Sequence, residues 1–359
     1  MNNKFYNFTP GPVPMEESVR EVLTHELPYF RTKEFSKLTL KCKQNLLKMF
    51  NAGPNSDVIF LSATGTAAME ASILNLVLPE HNSLVINGGG FAQRFIDILN
   101  RHKKSVQSIS LNCGDATVPV GLDLDNVDNL IVNGHETTTG ALYNLSDLGA
   151  LCKQTNCKFI VDGISMAVTD EIDILRDGID CLIISSHKAF GLHPGMSFII
   201  LSEGVIPTIQ QSEGVPLYFD FSLYLRDIDR GQLPFTPSIS VLIQLNAFFD
   251  DWFDKGNDFY IERAKELSLY FRTQILEKKL PLYEYANRLP NAMTSVEVGT
   301  GMNARDIVER LIEKNIFVAP SGGELESRIF RVSHMGNQTK KDIDVLIREL
   351  TVITKGINE

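Results

Sequence analysis

Seven short apolar runs recur between about residues 57 and 202: DVIFLSA from Asp57, SLVINGG from Ser83, SVQSISL from Ser105, NLIVNG from Asn129, KFIVDG from Lys158, DCLIISS from Asp180 and SFIILS from Ser197. They are rich in Val and Ile and apolar on consecutive residues, which suits strands buried on both faces. The stretches between several of them carry apolar residues at helical spacing: Ala67, Ala71, Leu74 and Leu78 in one, Phe95, Ile96, Ile98 and Leu99 in the next. Strand and helix in alternation predict an α/β fold with a mostly parallel sheet flanked by helices. Upstream, Phe35, Leu38, Cys42, Leu46, Leu47 and Phe50 form one helical stripe, closed by the AGPN punctuation at Ala52 to Asn55.

Beyond about residue 256 the pattern changes. A long helix, roughly Phe259 to Lys278, precedes strand-like runs at Met293 to Val298, Ile316 to Ala319 and Arg328 to Ser333, and a last helix starts near Lys340. These predict a smaller α+β domain over 257–359, after an amino-terminal arm (1–15) and a large domain (16–256). A length of 359 residues suits that division, and no internal repeat interrupts it. Composition is ordinary for a globular chain, with 43% apolar and 22% charged residues. A net charge of −10 makes nucleic acid and anionic membrane poor partners. Five cysteines, odd in number and without C-x-x-C spacing, favour reduced thiols over disulfides or a metal site. The amino terminus has no apolar signal-peptide core, and no run approaches the ~18 apolar residues of a membrane span. A cytoplasmic protein is expected.

Candidate chemistry gathers at the carboxyl ends of five of the seven runs. Lys188 in SSHKAFGLHPG follows one of them, where open α/β sheets bind ligands. Desolvation there lowers an amine's pKa and suits a Schiff-base role, whereas most loop lysines are simply solvated. Asp162 in VDGIS could hold a ring nitrogen protonated or merely cap a turn. SATGTAAMEAS offers small residues at a helix start that suit a phosphate, although no G-K-[ST] of a P-loop follows. Phe91 in NGGGFAQRF could stack on a cofactor ring or fill the core. GHETTTG clusters hydroxyls beside His135 and Glu136, and alone could be only a polar turn.

Together these segments resemble a class V aminotransferase of fold type I, in the alanine–glyoxylate, serine–pyruvate and 2-aminoethylphosphonate–pyruvate branch. The resemblance runs from TPGPVP at Thr9 to FRVSHMG at Phe330, nearly the whole chain. It implies the PLP-transferase fold, with pyridoxal 5′-phosphate (PLP) bound in the large domain. By resemblance, Lys188 carries the cofactor as a Schiff base and Asp162 bonds the pyridine nitrogen. Phe91 and Ile164 cover the two ring faces, and Thr137 touches the ring edge. Thr64, Gly65 and Thr66 hold the phosphate, with His187 also in the cofactor site. QLPFTPSIS (Gln232 to Ser240) is similar to a segment that reaches the neighbouring subunit's phosphate through the threonine matched by Thr236. A homodimer with shared active sites follows from that. Arg331 matches the arginine that takes the substrate α-carboxylate through a two-point fork. Without the family, Arg331 beside Arg328 reads as a solvated charge.

The implied activity is ping-pong transfer of an amino group from a small amino acid, alanine or serine, to pyruvate or glyoxylate. No metal is implied. 2-Aminoethylphosphonate is the alternative donor; its dianion wants a second cation, for which Arg31 and Arg94 are the candidates. The chain departs from the pattern at two positions. His187 stands where alanine–glyoxylate members usually have Gln, and Leu233 falls where they place a tyrosine near the phosphate. SSHK also resembles the lysine motif of cysteine desulfurases, but that chemistry needs a mobile late cysteine and none follows Cys181. A lyase without such a cysteine and a non-catalytic PLP protein are further alternatives. A G-x-G-x-x-A pattern at Gly299, Gly301 and Ala304 superficially suggests dinucleotide binding. It lies in the small domain with no βαβ unit evident, so a turn with a polar helix start is the plainer reading.

Overall fold

The computed structural model describes residues 5–118, 121–256 and 258–358. Residues 1–4 of the expected arm, and residues 119, 120, 257 and 359, lie outside the described residues. In chain order come β1 (Tyr6–Phe8), α1 (Glu17–Glu21), α2 (Lys33–Met49), β2 (Asp57–Leu61), α3 (Gly65–Leu76), β3 (Asn82–Asn87), α4 (Gly90–Arg101), β4 (Ser105–Ser110) and β5 (Asn129–Asn133). The short pair β6 (His135–Glu136) and β7 (Ala141–Leu142) leads into α5 (Leu145–Thr155), β8 (Lys158–Asp162), α6 (Ile174–Asp177), β9 (Cys181–Ser185) and β10 (Ser197–Leu201). Helices α7 (Ile206–Gln211), α8 (Phe221–Ile228), α9 (Ile239–Lys255) and α10 (Phe259–Glu277) follow. The remainder is β11 (Leu282–Glu284), β12 (Met293–Val298), α11 (Ala304–Ile312), β13 (Ile316–Pro320), β14 (Ile329–Ser333) and α12 (Lys340–Asn358).

All seven apolar runs become strands of one sheet, in the order β2-β10-β9-β8-β5-β3-β4. The neighbours from β9 across to β4 are parallel, and β10 alone runs antiparallel to both β9 and β2. The carboxyl ends of β2, β3, β5, β8 and β9 therefore meet at one edge. β5, β9 and β10 are buried along their whole length, as consecutive apolar residues require. The run from Ser105 is the exception. It forms the edge strand β4, exposed or half-exposed throughout, because only β3 pairs with it. Its Ser105, Gln107, Ser108 and Ser110 already dilute the apolar pattern.

A second sheet, ordered β1-β13-β14-β12-β11, is built mostly from the last eighty residues. Its first strand comes from the amino terminus and lies parallel to β13, a pairing that the three residues YNF do not announce. β12 and β13 are both antiparallel to β14, so they run the same way with β14 between them. The G-x-G-x-x-A segment thus opens the helix of an interrupted β12–α11–β13 crossover, correcting the expectation that no such unit exists. Its start is capped by Asn303, whose side-chain oxygen accepts the Arg305 N–H at 2.9 Å. Buried side chains form two clusters, one around each sheet. Among the described residues no helix is long and apolar enough to cross a membrane, and no group of His, Cys, Asp and Glu is arranged to hold a metal ion.

Candidate active site

Parallel β8 and β9 deliver Asp162 and, just past Ser185, Lys188 to the same edge of the large sheet. Asp162 is fully buried. Its Oδ2 accepts from Asn133 Nδ2 at 2.7 Å and its Oδ1 from the Ile164 N–H at 2.9 Å. Burial outweighs those bonds and raises its carboxyl to about 6. Lys188 is shifted the other way. Burial, with a smaller contribution from the Arg331 charge, brings its amine down to about 8. The TPGPVP segment lies over the lysine so closely that a Cβ on Gly11 would meet Lys188 Cδ at 2.9 Å. His187 Nδ1 sits 3.1 Å from Ser185 Oγ, and burial lowers that imidazole to about 4, leaving it neutral at physiological pH.

The start of α3 follows β2 at the same edge. Thr64 is its N-cap and makes no side-chain capping bond, so the first turn is open to an anion. Thr64 and Thr66 are exposed and Gly65 is buried. A Cβ there would lie 2.4 Å from Ile164 Cδ1, so a larger residue would displace the Ile164 side chain. The start of α4 is different: its first N–H groups are already occupied. Glu136 Oε2 accepts from Phe91 N–H at 3.0 Å and Ala92 N–H at 3.1 Å. Phe91 itself is half-buried, with the Arg94 guanidinium 4.8 Å from its ring centre.

Thr137 follows β6 into the same region. Its hydroxyl is buried and finds no partner among the described residues, while its carbonyl accepts from the Arg331 guanidinium at 3.2 Å. Arg331 also donates to the Pro320 carbonyl, and its Nε–H is buried and unsatisfied. It is half-buried on β14, unlike Arg328, which lies exposed and paired with Glu297. The structure thus brings Lys188, Asp162, Ile164, His187, the α3 start, Phe91, Thr137 and Arg331 to one end of the large sheet. Thr236 is exposed on a segment pinned from behind by Arg31, which donates to Gln232 Oε1 and the Leu233 carbonyl, both at 3.0 Å. Arg94 donates to Thr66 Oγ1 at 3.0 Å.

Two buried polar residues at this edge had no assigned role in the sequence. Asn133 stands at the end of the NLIVNG run and Glu136 inside GHETTTG; a polar residue closing a buried strand was the available signal. His135 is a further case. It is buried with Nδ1 3.0 Å from the Ser165 carbonyl, and burial lowers it to about 4.

Fold and site together define an α/β enzyme with a lysine and a carboxylate at the mouth of a parallel sheet. The family model for aminotransferase class V matches residues 21–346, and the chain belongs to that family. The soluble hydrogenase 42 kDa subunit of Anabaena cylindrica is 26% identical, over 98% of this chain and 94% of that protein. The serine–glyoxylate aminotransferase of Arabidopsis thaliana is 23% identical, over 98% and 90%. Among solved structures, the alanine–glyoxylate aminotransferase of Nostoc sp. matches with a TM-score of 0.90 at 25% identity, over 96% of this chain and 94% of that one.

Proposed function

We propose that this aminotransferase uses PLP to move an amino group from a small α-amino acid, of alanine or serine type, to pyruvate or glyoxylate. Two half-reactions share one site. The observation that carries the reading is the Lys188–Asp162 pair, an amine pushed down to about 8 and a buried carboxylate at neighbouring strand ends. The residues present fit the cofactor. The uncapped α3 start with its Thr64, Gly65 and Thr66 suits the phosphate, and the orphaned Thr137 hydroxyl suits a ring substituent. Phe91 and Ile164 would flank the ring, and neutral His187 beside the lysine would complete the site.

Bound there, PLP supplies an aldehyde to receive the amino group and a ring that takes up the electrons of the broken C–H bond. Asp162 would keep a proton on the ring nitrogen. The free Lys188 amine would take the proton from the donor α-carbon and deliver it to the carbon that came from the cofactor aldehyde, within the same half-reaction. Arg331 fixes the donor carboxylate: two of its N–H groups hold backbone carbonyls, so its orientation is set before substrate arrives. Arg31 is bonded away on the 232–233 segment, which counts against it as the second cation of a phosphonate donor, whereas Arg94 bonds Thr66 at the proposed phosphate turn. Thr236 would complete the phosphate site of a second copy, which makes the working unit a homodimer. The large and small domains are taken as 16–256 and 257–359.

A donor screen followed by borohydride reduction tests this reading. Alanine or serine should convert the bound cofactor to its amine form, and reduction before donor addition should fix it to Lys188. In single-turnover assays Arg331→Ala should slow both half-reactions by roughly 30- to 1000-fold in kcat/KM, the loss of one charged fork. Damage confined to the acceptor half would favour the phosphonate donor. No label on Lys188 would end the proposal.

A further inference from the structure

Glu136 is completely buried, yet each of its carboxylate oxygens is fully used. Oε2 accepts the backbone N–H groups of Phe91 and Ala92, at the positive end of α4. Oε1 accepts the Thr138 N–H at 3.2 Å and the Thr138 hydroxyl at 2.7 Å, and that hydroxyl in turn accepts the Gly90 N–H at 3.3 Å. The approach is tight enough that a Cβ on Gly89 would come within 2.7 Å of Glu136 Cδ. One side chain therefore ties the turn that carries Phe91 to the loop that carries Thr137. Through the Thr137 carbonyl the same loop holds Arg331.

We propose that Glu136 is a positioning residue: its carboxylate locks the start of α4 onto the 136–138 loop, setting Phe91 and Thr137 together as one wall of the cofactor site. This rests on the reading that PLP binds there, and it adds a role for a residue that would touch neither cofactor nor substrate. Asparagine-like or glutamine-like amides cannot replace it. A carboxylate offers acceptors on both oxygens, whereas an amide turns one of them into a donor facing two donors. Phe91 would then be free to tilt.

The test uses holoenzyme. Glu136→Gln should weaken cofactor retention by about 10- to 100-fold, the expected effect of leaving two buried donors unpaired, and should change the visible circular dichroism of the bound cofactor. Glu136→Asp keeps the charge on a shorter arm and should lie between the two. Thr138→Val removes the hydroxyl, both its donation to Glu136 and its acceptance of the Gly90 N–H, and leaves the carboxylate in place. It is the milder variant that carries the test, with a smaller loss of retention, if Glu136→Gln does not fold. Because Glu136 acts in part through Phe91, the loss should shrink when Phe91→Leu is already present, a non-additivity that general destabilisation does not produce. Wild-type retention and spectrum in folded Glu136→Gln, or losses that simply add to those of Phe91→Leu, would overturn the role. If the wild-type protein fails to take the cofactor on Lys188, the functional reading fails instead, and the two outcomes are distinct.

Discussion

A lysine becomes a useful nucleophile only when its free-amine form is populated near neutral pH. Lys188 meets that condition through position, since burial disfavours the ammonium and Arg331 adds a second positive charge nearby. An ordinary lysine titrates near 10.4, so at pH 8 well under one in a hundred is a free amine. About half of Lys188 should be. Competitive acetylation of the cofactor-free protein, read peptide by peptide, should therefore give Lys188 a midpoint near pH 8 while exposed lysines respond about two units higher. A Lys188 midpoint near 10 would show that its surroundings do not do what the geometry says. The residue itself was legible in the sequence, because a lysine in a Gly/Pro-rich loop after a buried run sits where ligands bind. Its electrostatic partner was suggested only by the family resemblance: Arg331 lies 143 positions further on, and residue pattern alone reads it as a solvated charge.

Elements were legible to the degree that their burial was uniform. The strands from Asp57, Asn129, Cys181 and Ser197 are buried nearly throughout, and consecutive Val and Ile residues signal that directly. The strand β4 was legible but not its place at the sheet edge, although four of its six residues are polar, and the three-residue β1 escaped because its partner is over three hundred residues away. Helix α5 holds a feature that propensity would misjudge. Gly149 lies in its interior, where alanine is ordinarily better by about 1 kcal/mol. Here a Cβ would sit 1.6 Å from the Asp177 carbonyl oxygen of α6 and 2.7 Å from its carbonyl carbon. No rotamer relieves contact with a backbone atom, so sterics should win. Gly149→Ala should destabilise the protein by about 1–3 kcal/mol net in urea unfolding, with Lys188 labelling unchanged because α5 meets α6 away from the lysine. A variant as stable as the parent would mean the two helices do not meet so closely.

At the scale of the whole molecule, one face is left expensive by a single chain. Leu217 is 68% exposed and Tyr29 67%, with Leu27 and Tyr218 also open to solvent. The segments that carry them meet on the 232–235 stretch: Tyr218 stacks on Phe235 at 5.1 Å, and Arg31 is bonded to Gln232 and Leu233. Exposed apolar surface of that kind marks an interaction site. Thr236 directly follows that stretch and the Ser238 N–H of the same segment donates to Ser62 Oγ beside the proposed phosphate site, so a second copy seated here would bring its own Thr236 towards the α3 start. Leu217→Glu should then turn a dimer into a monomer in analytical ultracentrifugation, because a carboxylate cannot be buried cheaply against an apolar partner. The monomer should keep its fold, since Leu217 supports little of either core, yet lose cofactor more readily. The lost threonine contact alone predicts a weakening of about 1–3 kcal/mol, near the value expected for Thr236→Ala in an intact dimer. Equal losses in the two variants would tie retention to that one hydroxyl, and a larger loss in the monomer would mean the interface contributes more than Thr236. A Leu217→Glu protein that stays dimeric would place the interface elsewhere, and a fully active monomer would show that each chain builds its site alone.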